Sequence, residues 1–243
     1  MKLALISDIH GNLEALRAVL ADIDAAGVDA LACLGDIVGY GADPAACLDL
    51  VRSRNPVAVV QGNHDSYAAD EREIVGFNPL AYQATLWTRG QLSPEQRQWL
   101  AAMPLQVSLS DQVTLVHASS LDPQNWDYVR FLQDGVMALA DQVTRYCFFG
   151  HTHVPMGFRR IGDSVEQFTE TLYDTSVGDR WLVNVGSVGQ PRDGNWRAAW
   201  TLLDEEAERI ALHRVEYDLE TCMGKIIEAG LPPRLAERLA LGR

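Results

Sequence analysis

Residues 3–40 read LALISDIHGNLEALRAVLADIDAAGVDALACLGDIVGY. Leu3 to Ile6 is a short apolar run that predicts a strand ending at Ser7-Asp8. Asn12 is an N-cap for the helix that follows. There Leu13, Leu16, Leu20 and Ile23 recur at helical spacing, and Gly27 can end the element. Ala30 to Leu34 predicts a second strand, running into Gly35-Asp36. Working outward, Asp43-Pro44 offers a cap followed by proline at the first helical position, and Leu48 and Val51 give that helix an apolar side. Val57 to Val60 predicts a third strand, feeding Gly62-Asn63-His64-Asp65. The opening is therefore β-α-β-α-β, with a polar motif beyond the carboxyl end of each strand. Open α/β sheets place ligands there.

Residues 66–104 read differently. Asn78-Pro79 and Ser93-Pro94-Glu95-Gln96 are two helix starts, the second resembling a capping box. This stretch is expected to be a helical insertion, either a partial lid beside the polar motifs or two helices that complete an outer layer. The rest is strand-rich. Gln106 to Leu109 and Val113 to Val116 flank a turn. Arg145 to Phe149 feeds Gly150-His151, and Phe158 to Ile161 pairs with Val165 to Phe168. Trp181 to Val185 leads into Gly186-Ser187. Ala198 to Leu203 and Ile210 to Tyr217 pair across Asp204-Glu205-Glu206. Residues 218–241 predict two short helices broken by Gly230 and Pro232-Pro233. From periodicity alone this is a mixed α/β domain spanning residues 1–243.

The 243 residues are 47% hydrophobic, enough for a substantial core. Thirty-three acids against 20 bases give a net charge of −13, which argues against a partner such as a long nucleic acid. A small anionic substrate is still accommodated, because bound dications invert the sign locally. Cys33, Cys47, Cys147 and Cys222 form no C-x-x-C pair, so no zinc ribbon or thioredoxin site is indicated. Unpaired cysteines and a start too short for a signal-peptide core make the expected location cytoplasmic. No apolar run approaches a membrane span. Oligomeric state is not encoded in any pattern here.

Five of the six histidines fall in four short motifs beside strand-like runs: Asp8-Ile9-His10, Gly62-Asn63-His64-Asp65, Val116-His117-Ala118 and Gly150-His151-Thr152-His153. Gly35-Asp36 follows the same layout. Taken singly, each motif is no more than a cap, a turn or a core histidine. Together they offer Asp8, His10, Asp36, Asn63, His117, His151 and His153, seven nitrogen and oxygen ligands without a thiolate. That supply suits two divalent transition metal ions sharing one carboxylate. Mn, Fe, Zn, Co and Ni all fit such ligands, with Mn favoured.

The order D-x-H, G-D, G-N-H-D, a lone H and G-H-x-H resembles the calcineurin-like metallophosphoesterases. Gly35 to Gly41 and Asn184 to Asp193 are similar to that family's small prokaryotic branch, often labelled predicted phosphoesterase. The resemblance implies a calcineurin-like αββα sandwich of two packed β-sheets flanked by helices. It implies a first metal held by Asp8, His10, Asp36 and His153, and a second held by Asp36, Asn63, His117 and His151, with Asp36 bridging. It implies hydrolysis of a small phosphodiester or phosphomonoester by a metal-bridging hydroxide between ions roughly 3.5–4 Å apart. His64 would then be the catalytic acid to the leaving group, with Asp65 expected to orient it and favour its charge. Arg192, and Asn63 beside the metals, would contact substrate phosphate. By their local sequence, Tyr40 between two glycines either lines the mouth or is an ordinary turn aromatic, and His213 in an alternating strand is structural or solvent-exposed. The alternative within the same fold is a non-catalytic metal-binding scaffold, a protein-interaction module that lacks the histidine at the His64 position.

Overall fold

The computed structural model describes residues 1–243. Two six-stranded sheets pack face to face. The first has the order β3 (Ala58–Val59), β2 (Ala30–Cys33), β1 (Lys2–Ile6), β11 (Ala198–Asp204), β12 (Arg209–Val215) and β9 (Leu172–Asp174). The second runs β4 (Gln106–Ser108), β5 (Val113–Val116), β6 (Tyr146–Phe149), β10 (Arg180–Asn184), β7 (Met156–Ile161) and β8 (Ser164–Phe168). β1, β2 and β3 are mutually parallel, as are β5, β6 and β10.

Period-two alternation decides which side chain meets which layer. In β1, Leu3 and Leu5 face the other sheet, while Ala4 and Ile6 face the helices. The inter-sheet layer takes Leu3, Leu5, Ala32 and Leu34 from one side and Leu115, Phe148, Trp181 and Val183 from the other. On the outer face of the first sheet lie α1 (Leu13–Ala26) and α2 (Pro44–Ser53), together with α7 (Leu219–Glu228) and α8 (Pro233–Ala240). α6 (Leu132–Asp141) covers the second sheet through Ala138 and Leu139. The layers therefore run helix, sheet, sheet, helix.

Residues 66–104 hold the end of α3 (Asn63–Ala69), then α4 (Pro79–Gln91) and α5 (Pro94–Ala101). Both helix starts form as their sequences predict. Asn78 Oδ1 accepts from the Leu80 and Ala81 amides, and Ser93 and Gln96 cap each other reciprocally. Asn12 caps α1, and Gly27 ends it in the left-handed conformation. The cap expected at Asp43 does not form. Its carboxylate instead pairs with Lys225 of α7 at 2.8 Å, exchanging a local bond for one that ties α7 to the start of α2. Sequence periodicity also misses α6 and β9. In α6, Gly135 lies against the Phe158 ring and Val136 and Met137 are exposed, which blurs the apolar stripe. β9 is three residues long and is held by Tyr173 packing on Phe168 and Trp181.

Phe148 is wholly buried between the sheets. We expect Phe148→Ala to lower the free energy of unfolding by about 3–5 kcal/mol in urea. A loss below about 1 kcal/mol would show that this layer is not close-packed.

Candidate metal centre

The five polar motifs follow the carboxyl ends of β1, β2, β3, β5 and β6, all parallel strands of the two sheets. Face-to-face packing brings these ends together, and backbone hydrogen bonds stitch the loops. The Asp8 amide donates to Gly35 O at 3.0 Å, and the His10 amide to Asp36 O at 2.9 Å. The Gly150 amide donates to His117 O at 2.9 Å, the Gly189 amide to Asp8 O at 2.9 Å and the Arg192 amide to His153 O at 3.1 Å. Ser187 Oγ also donates to Asp8 O.

The stitching holds an unusual backbone. Asp8, His10, Asp36, His151 and His153 all have φ between 49° and 64°. Left-handed conformations cost of order 1–3 kcal/mol each for residues with a Cβ and persist only where the surroundings over-determine them. Asp and His tolerate that region better than most residues. A left-handed turn at the Asp8-Ile9-His10, Gly35-Asp36 and Gly150-His151-Thr152-His153 motifs swings those side chains from the sheet layer into the shared centre, while Asn63 enters from the first turn of α3.

Asp8 and Asp36 are essentially inaccessible to solvent, as are His10, His117 and His153. Asp8, His10, Asp36 and His153 form one cluster of candidate ligand atoms, and Asp36, His117 and His151 form a second. Asp36 belongs to both. His153 Nε2 stands 3.2 Å from Asp8 Oδ1, and His117 Nε2 stands 3.4 Å from Asp36 Oδ2. Three imidazoles are fixed from behind, because Nδ1 faces a carbonyl. These pairs are His10 with Val38 O at 3.0 Å, His117 with Leu34 O at 2.7 Å and His153 with Gln190 O at 2.6 Å. A carbonyl only accepts, so each Nδ1 carries a proton and each Nε2 is turned to the centre. His10 Nε2 and His153 Nε2 face each other at 3.1 Å, a contact that a proton or a cation must reconcile.

The charge states follow. Burial pushes the Asp8 carboxyl up, but His153 and His117 outweigh it and hold it well below the usual range. Asp36 is likewise held low against burial by His117 and His64. Burial keeps His10 and His153 neutral, with His151 at about 3. His117 alone is lifted, to about 9: burial opposes its charge, and the Asp36 carboxylate outweighs burial. Ionised carboxylates beside neutral imidazoles are the forms that bind metal, and His117 would reach that form by giving up its Nε2 proton in exchange for a cation. Asn63 Oδ1 and His117 Nε2 are buried without a hydrogen-bond partner. Unsatisfied oxygen and nitrogen lone pairs beside two shared clusters fit a pair of divalent cations.

A narrow cleft of about 60 Å³ leads to the clusters, lined by Asp36, Asn63, His64, His151, His153 and Arg192 among others. The His64 imidazole is clamped between the rings of Tyr40 and Phe77, with centroids at 4.5 and 4.6 Å. Burial lowers it to about 4. The expectation that Asp65 orients His64 is not met. Asp65 Oδ1 accepts from the amides of Ile37 and Val38, at 2.9 and 3.3 Å, and Oδ2 accepts from Gly62 at 3.1 Å. It fastens the second motif to the third, and the His64 Nδ1 atom has no partner. Gly62 cannot carry a side chain, because a Cβ there would collide with the Asp36 carboxylate. Arg192 reaches the cleft while its guanidinium donates to Gln190 Oε1 and lies 5.7 Å from the Tyr40 ring centre. His213 lies away from the site, stacked on Trp200.

Sequence reasoning missed Phe77 and Tyr128, which wall the cleft; Tyr128 stacks on His151 with centroids 4.3 Å apart. Nothing local marks them. It also missed Asn184, whose amide donates to Gly150 O and Thr152 Oγ1 and so braces the His151 turn.

Residues 1–207 match the calcineurin-like phosphoesterase superfamily domain. The chain is 39% identical over 245 residues to the uncharacterized protein MJ0912 of Methanocaldococcus jannaschii, covering 99% of this chain and 98% of that one. It is similar to a metallophosphoesterase from Sphaerobacter thermophilus, with TM-score 0.89 and 39% identity over 100% of this chain and 99% of that one. The hypothetical protein PH1004 from Pyrococcus horikoshii shares the fold, with TM-score 0.79 at 20% identity over 100% and 98% of the two chains. The chain belongs to the calcineurin-like phosphoesterase superfamily.

Asp65→Ala strips three buried amides of their acceptor. We expect it to destabilise the chain by about 2–4 kcal/mol in chemical denaturation. A change within about 0.5 kcal/mol, as at ordinary surface sites, would show that the Asp65 bonds do not hold the two motifs together.

Proposed function

Starting from that family membership, we propose that the chain hydrolyses a small phosphoester, with two divalent cations held by the clusters that share Asp36. The observation that carries this reading is Asp36 itself: a buried carboxylate common to both ligand sets. Asp8, His10, Asp36 and His153 would hold one cation, and Asp36, Asn63, His117 and His151 the other. Manganese is the first choice among the cations these ligands accept. When bound, the cations supply an acidified water and neutralise the phosphoryl oxygens as charge builds there.

The remaining work falls to the chain. Arg192 presents a planar fork to a phosphate entering the cleft. Asn63 lines the same cleft and contributes a neutral oxygen, adding no charge to a centre that already carries two carboxylates. His64, packed between Tyr40 and Phe77, would take up a proton when an anionic ester enters the cleft and offsets the cost of its charge, and give that proton to the leaving oxygen. Clamping by two rings fixes its orientation in the way expected of a carboxylate partner, and leaves Asp65 a positioning residue. A histidine set into the cleft favours the enzyme over the metal-binding scaffold, which has no use for a proton donor there. Mouth size favours a small or slender ester, whether diester or monoester. Four buried, unpaired cysteines support a cytoplasmic location.

Asp36→Asn is expected to abolish hydrolysis of an aryl phosphodiester, by more than the roughly 10–100-fold typical of residues that only support a ligand. Near-normal turnover would rule out the shared carboxylate. His64→Ala should keep its metals and lose about 10²–10⁴-fold in rate with poor leaving groups, and less with p-nitrophenolate. Equal losses across leaving groups would remove His64 as the acid.

A further inference from the structure

Beside the metal cleft lies a second cavity of about 300 Å³, between α8 and the start of α4. Arg234, Arg238 and Arg243 line it, and Asn78 lines both it and the cleft. Tyr40 joins the two: Arg192 and Arg238 lie 5.7 and 6.0 Å from its ring centre. A chain with 33 acids and 20 bases has carboxylates to spare, and most of its arginines find one. Arg192, Arg234, Arg238 and Arg243 have no aspartate or glutamate oxygen within 4.0 Å. Glu237 lines the same cavity and pairs with none of them. Three of these guanidiniums line the cavity and Arg192 lines the adjoining cleft; against the four stand only the Arg243 main-chain carboxylate, which Arg238 binds, and Glu237, so positive charge is left over for an anion.

The cavity is built. Leu235, Ala236 and Leu239 bury one side of α8 in the main core. The tail beyond α8 is tied to the loop that carries Arg192, because the Gly194 amide donates to Gly242 O at 2.9 Å. Gly242 has φ +61°, and a Cβ there would stand 2.6 Å from Asn195 N. Arg238 Nε donates to the main-chain carboxylate of Arg243, and its two Nη groups make no hydrogen bond within the chain. The Asn78 oxygen is spent on capping α4, so its NH₂ is the remaining donor. Burial of Arg238, with Arg192 and Arg234 close by, pulls its guanidinium below the ordinary range.

We propose that this cavity is a second anion subsite that holds a phosphate group of the substrate distal to the phosphorus under attack. The chain would then act on phosphoesters that carry a further phosphate, with Arg234 and Arg238 as the specificity-determining fork. The inference rests on the phosphoesterase reading for its meaning but not for its test.

Two matched pairs of probes test it on the metal-loaded protein. The first pair is the p-nitrophenyl ester of thymidine 3′-phosphate with and without a 5′-phosphate. The second pair, thymidine 3′,5′-bisphosphate and thymidine 3′-phosphate, reports binding by calorimetry without turnover. We expect the extra phosphate to raise kcat/KM, chiefly through KM, and to tighten binding, each by about tenfold or more. R234A/R238A should bring both ratios close to one. Gly242→Ala, which displaces the tail, should shrink them in the same direction. Equal binding of the second pair by the wild-type protein overturns the inference, as does an R234A/R238A variant that keeps the wild-type ratios. If neither ester is cleaved yet the bisphosphate binds more tightly, the subsite stands and the hydrolytic reading falls.

Discussion

Two carboxylates buried beyond the reach of water constrain this molecule more than any other feature. Desolvating an ionised carboxylate costs several kcal/mol unless cationic or hydrogen-bonding partners return it. Asp8 receives the His151 amide, and Asp36 receives the His64 amide. Burial keeps most of the imidazoles neutral, and His117 is the one that carries positive charge beside Asp36. The balance is a centre that still demands positive charge, and its lone pairs are already turned inward. Strand ends, left-handed turns and loop stitching can be understood as the means of holding that arrangement in place.

Burying the site also decides where its protons and anions come from. The cleft is small, about 60 Å³, and its walls are aromatic where they meet His64. Guanidiniums gather at the mouth of a chain that is otherwise strongly acidic. An anion approaching the bulk surface is repelled, while one at the cleft meets arginine before it meets metal ligands. Selection among phosphoesters would therefore occur at the rim, on the tail and the loop carrying Arg192, and the chemistry deeper in.

Much of this was legible from residues alone because the signals are local. Apolar alternation and helical spacing mark β1, α1, β2 and α2, and the Asp-x-His and Gly-His-x-His motifs advertise ligands by type. Face-to-face packing of the two sheets is not local. It came from family resemblance, and the inter-sheet layer of Leu5, Leu34, Phe148 and Trp181 shows why it works. What sequence did not show depends on distant partners. Asp65 follows His64 in the chain, yet its carboxylate is consumed by amides 28 and 27 residues away. Phe77 and Tyr128 look like ordinary aromatics until folding stacks them on His64 and His151. Likewise, Pro232-Pro233 predicts a helix break, but nothing in the tail says that Arg238 will face Tyr40.

The most direct test of this account is anomalous diffraction from crystals of the protein grown with manganese. Two peaks should flank the Asp36 carboxylate, one beside Asp8, His10 and His153 and the other beside Asn63, His117 and His151. A single peak that leaves Asp36 in contact with one ion only, or side chains splayed apart around no peak, would contradict it.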